Sequence, residues 1–166
     1  MRVAILTVSD SVMKGTRQDS SGQTIVDWCS RRAAGIVERA TVTDDTSEIV
    51  PILSRWCDSG SVDLVLTTGG TGLSARDVTP EATLAVIDRE AQGIAEYLRA
   101  TSFVSFPRAA LSRGFAGTRG STLIVNLPGS PSGVSDSLAA LDSIVDHAVD
   151  VLRGNTAHID EGVVSK

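Results

Sequence analysis

The chain is poor in the residues that carry redox, metal and nucleophile chemistry. Of its 166 residues two are cysteine and two are histidine. Cys29 and Cys57 have neither Cys-x-x-Cys spacing nor a histidine near them, and both fall on apolar faces of candidate helices. They are expected in the core, with no metal or redox role. Gly-x-Ser-x-Gly is missing, and His147 and His158 fall in the last helix and the polar end of the chain, so no serine hydrolase is visible. No Gly-Lys-Ser/Thr follows a glycine-rich loop, which excludes the P-loop mechanism, and the glycine spacing does not fit the dinucleotide fingerprint. Positive charge is also short. A net charge of −5 and a pI near 4.9 argue against nucleic acid or anionic lipid as a partner. No apolar run approaches the roughly 20 residues of a membrane span, and the first residues run into a strand without a signal-peptide pattern, so a cytoplasmic location is expected.

What is present is a regular alternation. With 42% hydrophobic residues, the chain can bury about two-thirds of its surface as one domain. That domain is expected over 1–153, followed by a polar tail at 154–166. Arg2–Val8 reads as a strand, Ser21 to Ala34 as a helix and Glu38 to Thr43 as a more polar strand. A helix bearing Ile49, Leu53, Trp56 and Cys57 follows, with Pro51 limiting how early it begins. Val62 to Leu66 is a buried-type strand, and Ala82 to about Arg89 and Gln92 to Ser102 are helical. Ala109 to Gly117 and Ser121 to Asn126 read as paired segments joined tightly at Gly117 to Gly120. One long final helix, capped by Ser130, runs from Pro131 to Leu152. These elements predict a three-layer α/β/α fold with a mostly parallel central sheet and one local antiparallel strand.

The most informative stretch runs from Thr67 to Glu81 (TTGGTGLSARDVTPE). A buried strand empties into a loop whose glycines let backbone N–H groups approach an anion without Cβ clash. Thr68 and Thr71 add hydroxyls, Arg76 and Asp77 add charge, and Thr79-Pro80-Glu81 restarts helix with a hydroxyl N-cap. In a parallel sheet the loops after the strands gather at the carboxyl edge. Ser9 to Gly22, Asp44-Asp45, Thr68 to Asp77 and Leu127 to Ser130 should therefore lie near one another. Such a crevice suits phosphate esters with Mg2+, for which Asp77 with Asp44 or Asp45 is a sufficient protein share. Several of these residues also have a plainer reading: Asp45 as a helix cap, Asp10 and Asp19 as acceptors for turn amides, Arg76 as a solvated cation.

Six motifs in order resemble the molybdopterin adenylyltransferase family, the MogA/MoaB-type domain of molybdenum cofactor biosynthesis. They are Val8-Ser9-Asp10-Ser11, Asp19-Ser20-Ser21-Gly22, Thr67 to Gly72, Arg76 to Thr83, Leu111-Ser112-Arg113 and Asn126 to Pro131. The resemblance implies transfer of AMP from Mg-ATP to the terminal phosphate of molybdopterin, with release of pyrophosphate. It implies catalytic Asp77, Asp44 and Arg76, with Asp77 and Asp44 on the metal. It also implies nucleotide and phosphate contacts at Thr68, Gly69, Gly70, Thr71, Gly72, Pro128, Gly129 and Ser130. Pterin-side contacts are implied at Ser9, Asp10, Asp19, Ser20 and Gly22, and at Ser112 with Arg113 beside it. Members assemble as trimers or hexamers, a homotrimer being the expectation here, and hand product to a molybdenum insertion enzyme. The alternative within the same pathway is a molybdopterin carrier with little adenylylation. One departure stands out: many relatives carry Lys-Ala where this chain has Ser132-Gly133.

Overall fold

Three strands rich in aliphatic residues, with Thr7, Thr67, Thr68, Thr122 and Asn126 as buried polar members, set the centre of the molecule. The structure, a computed structural model, describes residues 1–155; His158 and the expected tail from residue 156 onward lie outside the described residues. Strands β1 (Arg2–Val8), β3 (Leu64–Thr68) and β6 (Thr122–Leu127) are buried along nearly their whole length. A strand covered on both faces needs such a run, since neither side of the pleat meets water. The sheet has six strands in the order β2-β1-β3-β6-β5-β4, with β2 at Gly35–Val42, β4 at Arg89–Glu90 and β5 at Ala116–Arg119. β2, β1, β3 and β6 pair in parallel, while β5 runs antiparallel to β6 and to the two-residue β4.

Alternate residues of the strands feed two separate cores, one on each face. Val3, Ile5, Leu64, Leu66, Leu123 and Val125 face α2 (Ser20–Arg31), α5 (Gln92–Phe103), α6 (Pro131–Leu141) and α7 (Val145–Leu152). Ala4, Leu6, Val8, Val65 and Ile124 face α3 (Thr46–Asp58) and α4 (Thr79–Leu84). This is the three-layer arrangement, with Cys29 in the first core and Cys57 in the second. Burial pushes their thiols up to about 11 and about 12 respectively. At the amino end of the sheet, Asp63 is 2% exposed and is bound by both Arg2 (2.8 Å) and Arg153, tying the first strand to the end of α7.

Several boundaries differ from expectation. Pro51 does not delay α3: the helix begins at Thr46 and carries the proline inside it. Pro51 faces solvent while Ile49, Leu53, Trp56 and Cys57 bury the opposite stripe, and that burial outweighs one missing backbone hydrogen bond. The helix expected to reach Arg89 ends at Leu84, because Asp88 to Ala91 instead pairs with β5 through Asp88 N–H to the Thr118 carbonyl and Ala91 N–H to the Ala116 carbonyl. Ala109 to Leu111 belongs to a 3-10 turn (Pro107–Leu111) rather than to β5, and the hairpin turns at Gly120. The single long C-terminal helix is two, α6 and α7. Ser143 turns its hydroxyl onto the Ala140 carbonyl (2.9 Å), and Asp142 accepts from Trp28 Nε1 (2.8 Å) of α2 and from Arg32 (2.6 Å) just past its end. A four-residue helix, α1 (Asp10–Met13), interrupts the loop after β1.

Candidate active site

The register of the parallel strands brings their carboxyl ends level. Val8 lies opposite Val42, Thr7 opposite Thr68, and Thr68 opposite Leu127. Ser9-Asp10, Asp44, Gly69 to Gly72 and Pro128 to Ser130 therefore emerge along one edge. Two cavities open there. One of about 170 Å³ is lined by Ser9, Arg17, Asp44, Thr68, Gly69, Gly70 and Gly129. The other, of about 570 Å³, includes Gly70, Thr71, Gly72, Asp77, Ser112, Pro128, Gly129 and Ser130 in its wall. Gly70 and Gly129 belong to both.

The glycine loop is packed too tightly for any other residue at its start. Gly69 and Gly70 have φ of +97° and +61°, and a β-carbon would lie 2.2 Å from the Val8 carbonyl oxygen at the first and 2.4 Å from Thr79 Oγ1 at the second. Thr79, expected as the N-cap of α4, is instead its first residue, with Val78 in the capping position. Its hydroxyl donates to the Gly69 carbonyl at 2.9 Å, and its N–H to the Gly70 carbonyl at 3.1 Å. The left-handed turn leaves those two carbonyls without ladder partners, and Thr79 supplies them. Thr68 similarly donates its hydroxyl to the Pro128 carbonyl at 2.6 Å, fastening the third strand's loop to the sixth's.

The acids separate by their hydrogen bonds. Asp44 Oδ2 accepts from the Asp10 N–H at 2.8 Å, and Asp10 Oδ1 accepts from the Asp44 N–H at 3.2 Å, so the two loops hold each other. Asp45 turns away to cap α3 through the Ser47 N–H (2.8 Å) and hydroxyl (2.7 Å). Of the two acids in that turn, only Asp44 borders a cavity. Arg76 reaches back from the glycine loop to Asp10 at 2.8 Å and 3.0 Å, and its hydrogen bond, with that from Asp44, holds the Asp10 carboxyl below the usual carboxylate range. The Arg76–Asp10 pair lies in neither cavity wall. Asp77 lines the larger cavity and accepts the Ser74 N–H on Oδ2 at 2.8 Å.

Other expected residues serve the framework. Asp19 caps α2 through the Gly22 N–H (2.8 Å) and accepts from Thr7 (2.9 Å) and Arg39 (3.2 Å). Asp19, Ser20 and Gly22 line neither cavity, whereas Arg17, Gln18 and Ser21 from the same loop do. Arg113 also stays out of both walls, donating to loop carbonyls and to Glu81. The sequence reading missed the outer wall of the larger cavity, contributed by Leu98 and Arg99 of α5 and by Phe106, Arg108 and Leu111 around the 3-10 turn. The signal available was Phe103, Phe106 and Arg108 crowded just before Leu111-Ser112-Arg113. Arg99 donates to the Gly114 carbonyl at 2.7 Å, and Arg108 stacks on Phe106 at 5.3 Å.

Among the described residues there is no group of three His, Cys, Asp or Glu able to hold an ion. Asp44 lines the smaller cavity and Asp77 the larger, and each offers a hard oxygen donor of the type Mg2+ takes together with substrate phosphates. No helix among the described residues is long and apolar enough to cross a membrane.

A family profile described as "Probable molybdopterin binding domain" matches residues 4–147. The chain is 37% identical over 163 residues to the molybdopterin adenylyltransferase of Helicobacter pylori, covering 97% of this chain and 93% of that protein. It is 39% identical over 140 residues to the molybdopterin adenylyltransferase of Escherichia coli K12, covering 83% and 72%. The fold superimposes on the molybdopterin biosynthesis enzyme MoaB of Thermus thermophilus with a TM-score of 0.87 and 45% identity, over 92% of this chain and 96% of that one.

Proposed function

The chain belongs to the molybdopterin-binding domain family of molybdenum cofactor biosynthesis, and from that premise we propose that it is a molybdopterin adenylyltransferase. It transfers AMP from Mg-ATP to the terminal phosphate of molybdopterin. An oxygen of that phosphate forms a bond to the α-phosphorus of ATP, the bond from the α-phosphorus to the bridging oxygen breaks, and pyrophosphate leaves with the electron pair. The attacking oxygen is already ionised, so the reaction asks for positioning and charge compensation rather than a protein nucleophile. The crevice is built accordingly, from glycine amides, hydroxyls and carboxylates.

The observation that carries this reading is that the two cavities share Gly70 and Gly129 in their walls, where the loops after β3 and β6 come together. Phosphate groups can then approach bare backbone from either cavity, with both substrates reaching across the shared wall. Gly69 to Gly72 and Pro128 to Ser130 hold the nucleotide phosphates, while Ser9 and Ser112 serve the molybdopterin. Asp77 and Asp44 would hold Mg2+, which offsets the negative charge gathering on the phosphates. Arg76, released from Asp10, supplies a cation to the same polyanion.

Residues 1–153 form the catalytic domain in this proposal. A cytoplasmic location, a homotrimer and handover of product to a molybdenum insertion enzyme complete it; these rest on the family resemblance alone. The test is direct: purified protein with Mg-ATP and molybdopterin yields pyrophosphate and adenylylated molybdopterin in equal amounts. Saturable molybdopterin binding without pyrophosphate would make the protein a carrier instead.

A further inference from the structure

Between β3 and α4 the chain runs through residues 69–78, and Asp77 sits near the end of that span. A loop of this length, exposed from Leu73 to Arg76, needs outside support if its carboxylate is to keep one orientation. Its base is held by Thr79. Arg76 ties its exposed tip to Asp10, and the segments on either side of that tip are held by a second remote residue, Arg113. The Arg113 N–H donates to the Thr71 carbonyl at 2.8 Å, and Nε donates to the Gly72 carbonyl at 2.7 Å. One terminal nitrogen donates to the Asp77 carbonyl and the other to Glu81, in the first turn of α4. Gly72 in turn lies so near the Asp77 carboxylate that a β-carbon there would be 3.0 Å from Oδ2.

We infer that Arg113 is a positioning residue for Asp77, a strut whose planar fork joins both ends of the glycine loop to α4. The inference rests on the adenylyltransferase reading for its chemistry, but not for its geometry. It moves Arg113 away from the pterin contact implied by its place after Ser112. A guanidinium whose donors are spent on two loop carbonyls and a carboxylate has little left for a substrate. The planar fork also explains the residue type: an ammonium is a point donor and cannot span three acceptors set in different directions. Ser112, whose Oγ accepts the Gly114 N–H at 3.2 Å, borders the cavity from the same short segment. The strut therefore fixes Ser112 and Asp77 relative to one another across the larger cavity.

The experiment compares Arg113→Gln, Arg113→Lys and Glu81→Gln in the full chain by steady-state kinetics and by hydrogen exchange of residues 70–77. Misplacing Asp77 by about 1 Å lowers kcat on the order of 100-fold in Arg113→Gln, while KM for Mg-ATP and for molybdopterin stays within about threefold. Arg113→Lys does not recover the rate, and Glu81→Gln, which keeps an acceptor, falls between it and the parent. Exchange at Ser74 and Asp77 rises in both Arg113 variants with the melting temperature little changed. A raised KM for molybdopterin with kcat preserved would make Arg113 a substrate contact and overturn the inference, as would unaltered exchange and rate. If the parent protein releases no pyrophosphate, the adenylyltransferase reading fails, and the exchange data still decide the strut. Should the Arg113 variants not fold, Glu81→Gln carries the same comparison.

Discussion

Gly129 is stacked on Gly69: a β-carbon built on Gly129 would stand 3.3 Å from the Gly69 α-carbon. Two loops that leave the sheet from adjacent strands thus approach with no room for a side chain between them, and Gly129 borders both cavities. The two positions differ in how they tolerate a side chain. Gly129→Ala needs a shift of a few tenths of an ångström and costs less than about 1 kcal/mol, yet narrows the passage and lowers turnover. Gly69→Ala meets the Val8 carbonyl at 2.2 Å with φ at +97°, and destabilises by more than about 3 kcal/mol. Urea denaturation of the two variants checks the ranking; equal stability would contradict it.

The adjacent acids Asp44 and Asp45 are expected to behave oppositely. Asp44→Asn and Asp77→Asn retain substrate binding and lose kcat by about 100-fold. Asp45→Ala loses the α3 cap, lowers the melting temperature, and leaves kcat as it was. Pyrophosphate release and thermal melts on the same preparations read both effects.

Acid stability should report on Asp63. Burial alone pushes its carboxyl up, but hydrogen bonds from Arg2 and Arg153 outweigh it and bring the group from an ordinary 3.8 to about 2. A depressed folded value means that the contribution is complete above the unfolded value and disappears as pH falls from about 4 toward 2. It amounts to about 2 kcal/mol. Denaturation midpoints across that window fall steeply for the parent and weakly for Asp63→Asn; parallel curves would exclude Asp63 as the cause.

The two thiols give a simple reading of core integrity. With Cys29 and Cys57 buried and titrating near 11 and 12, neither is alkylated by iodoacetamide at about pH 8 in the native protein. Both react in denaturant. Rapid native labelling at either position would contradict the packing of α2 or α3.

β1 and β3 were legible because strands covered on both faces are dominated by aliphatic residues, and the glycine run after Thr68 marks where the chain leaves the sheet in a tight turn. Elsewhere local pattern and tertiary context part company. Asp142 to Ile144 continues the apolar period of a single helix, so the break made by Ser143 and by the pull of Trp28 and Arg32 on Asp142 leaves no periodic signal. Thr79 before a proline has the local signature of a helix cap; only the left-handed turn at Gly69, and the carbonyl it exposes, redirects that hydroxyl. Asp45 could be read as a cap from its place before α3, but which of the two adjacent acids faces the crevice is decided by Asp10, whose N–H binds Asp44 from 34 residues away. The outer cavity wall arises where α5 and the 3-10 turn fold over the loops, a long-range packing event with no motif of its own.

The order of strands in the sheet also dictates when the crevice can come into being during synthesis. β3 has β1 on one side and β6 on the other, so a nascent chain that ends before Thr122 leaves the middle strand with an open hydrogen-bonding edge and no Pro128 to Ser130 turn. Such an intermediate is both inactive and prone to pair with other unfinished chains. Pairing of β6 with β3 and formation of the Pro128 to Ser130 turn close that window, and the nucleotide site is among the last features of the molecule to form.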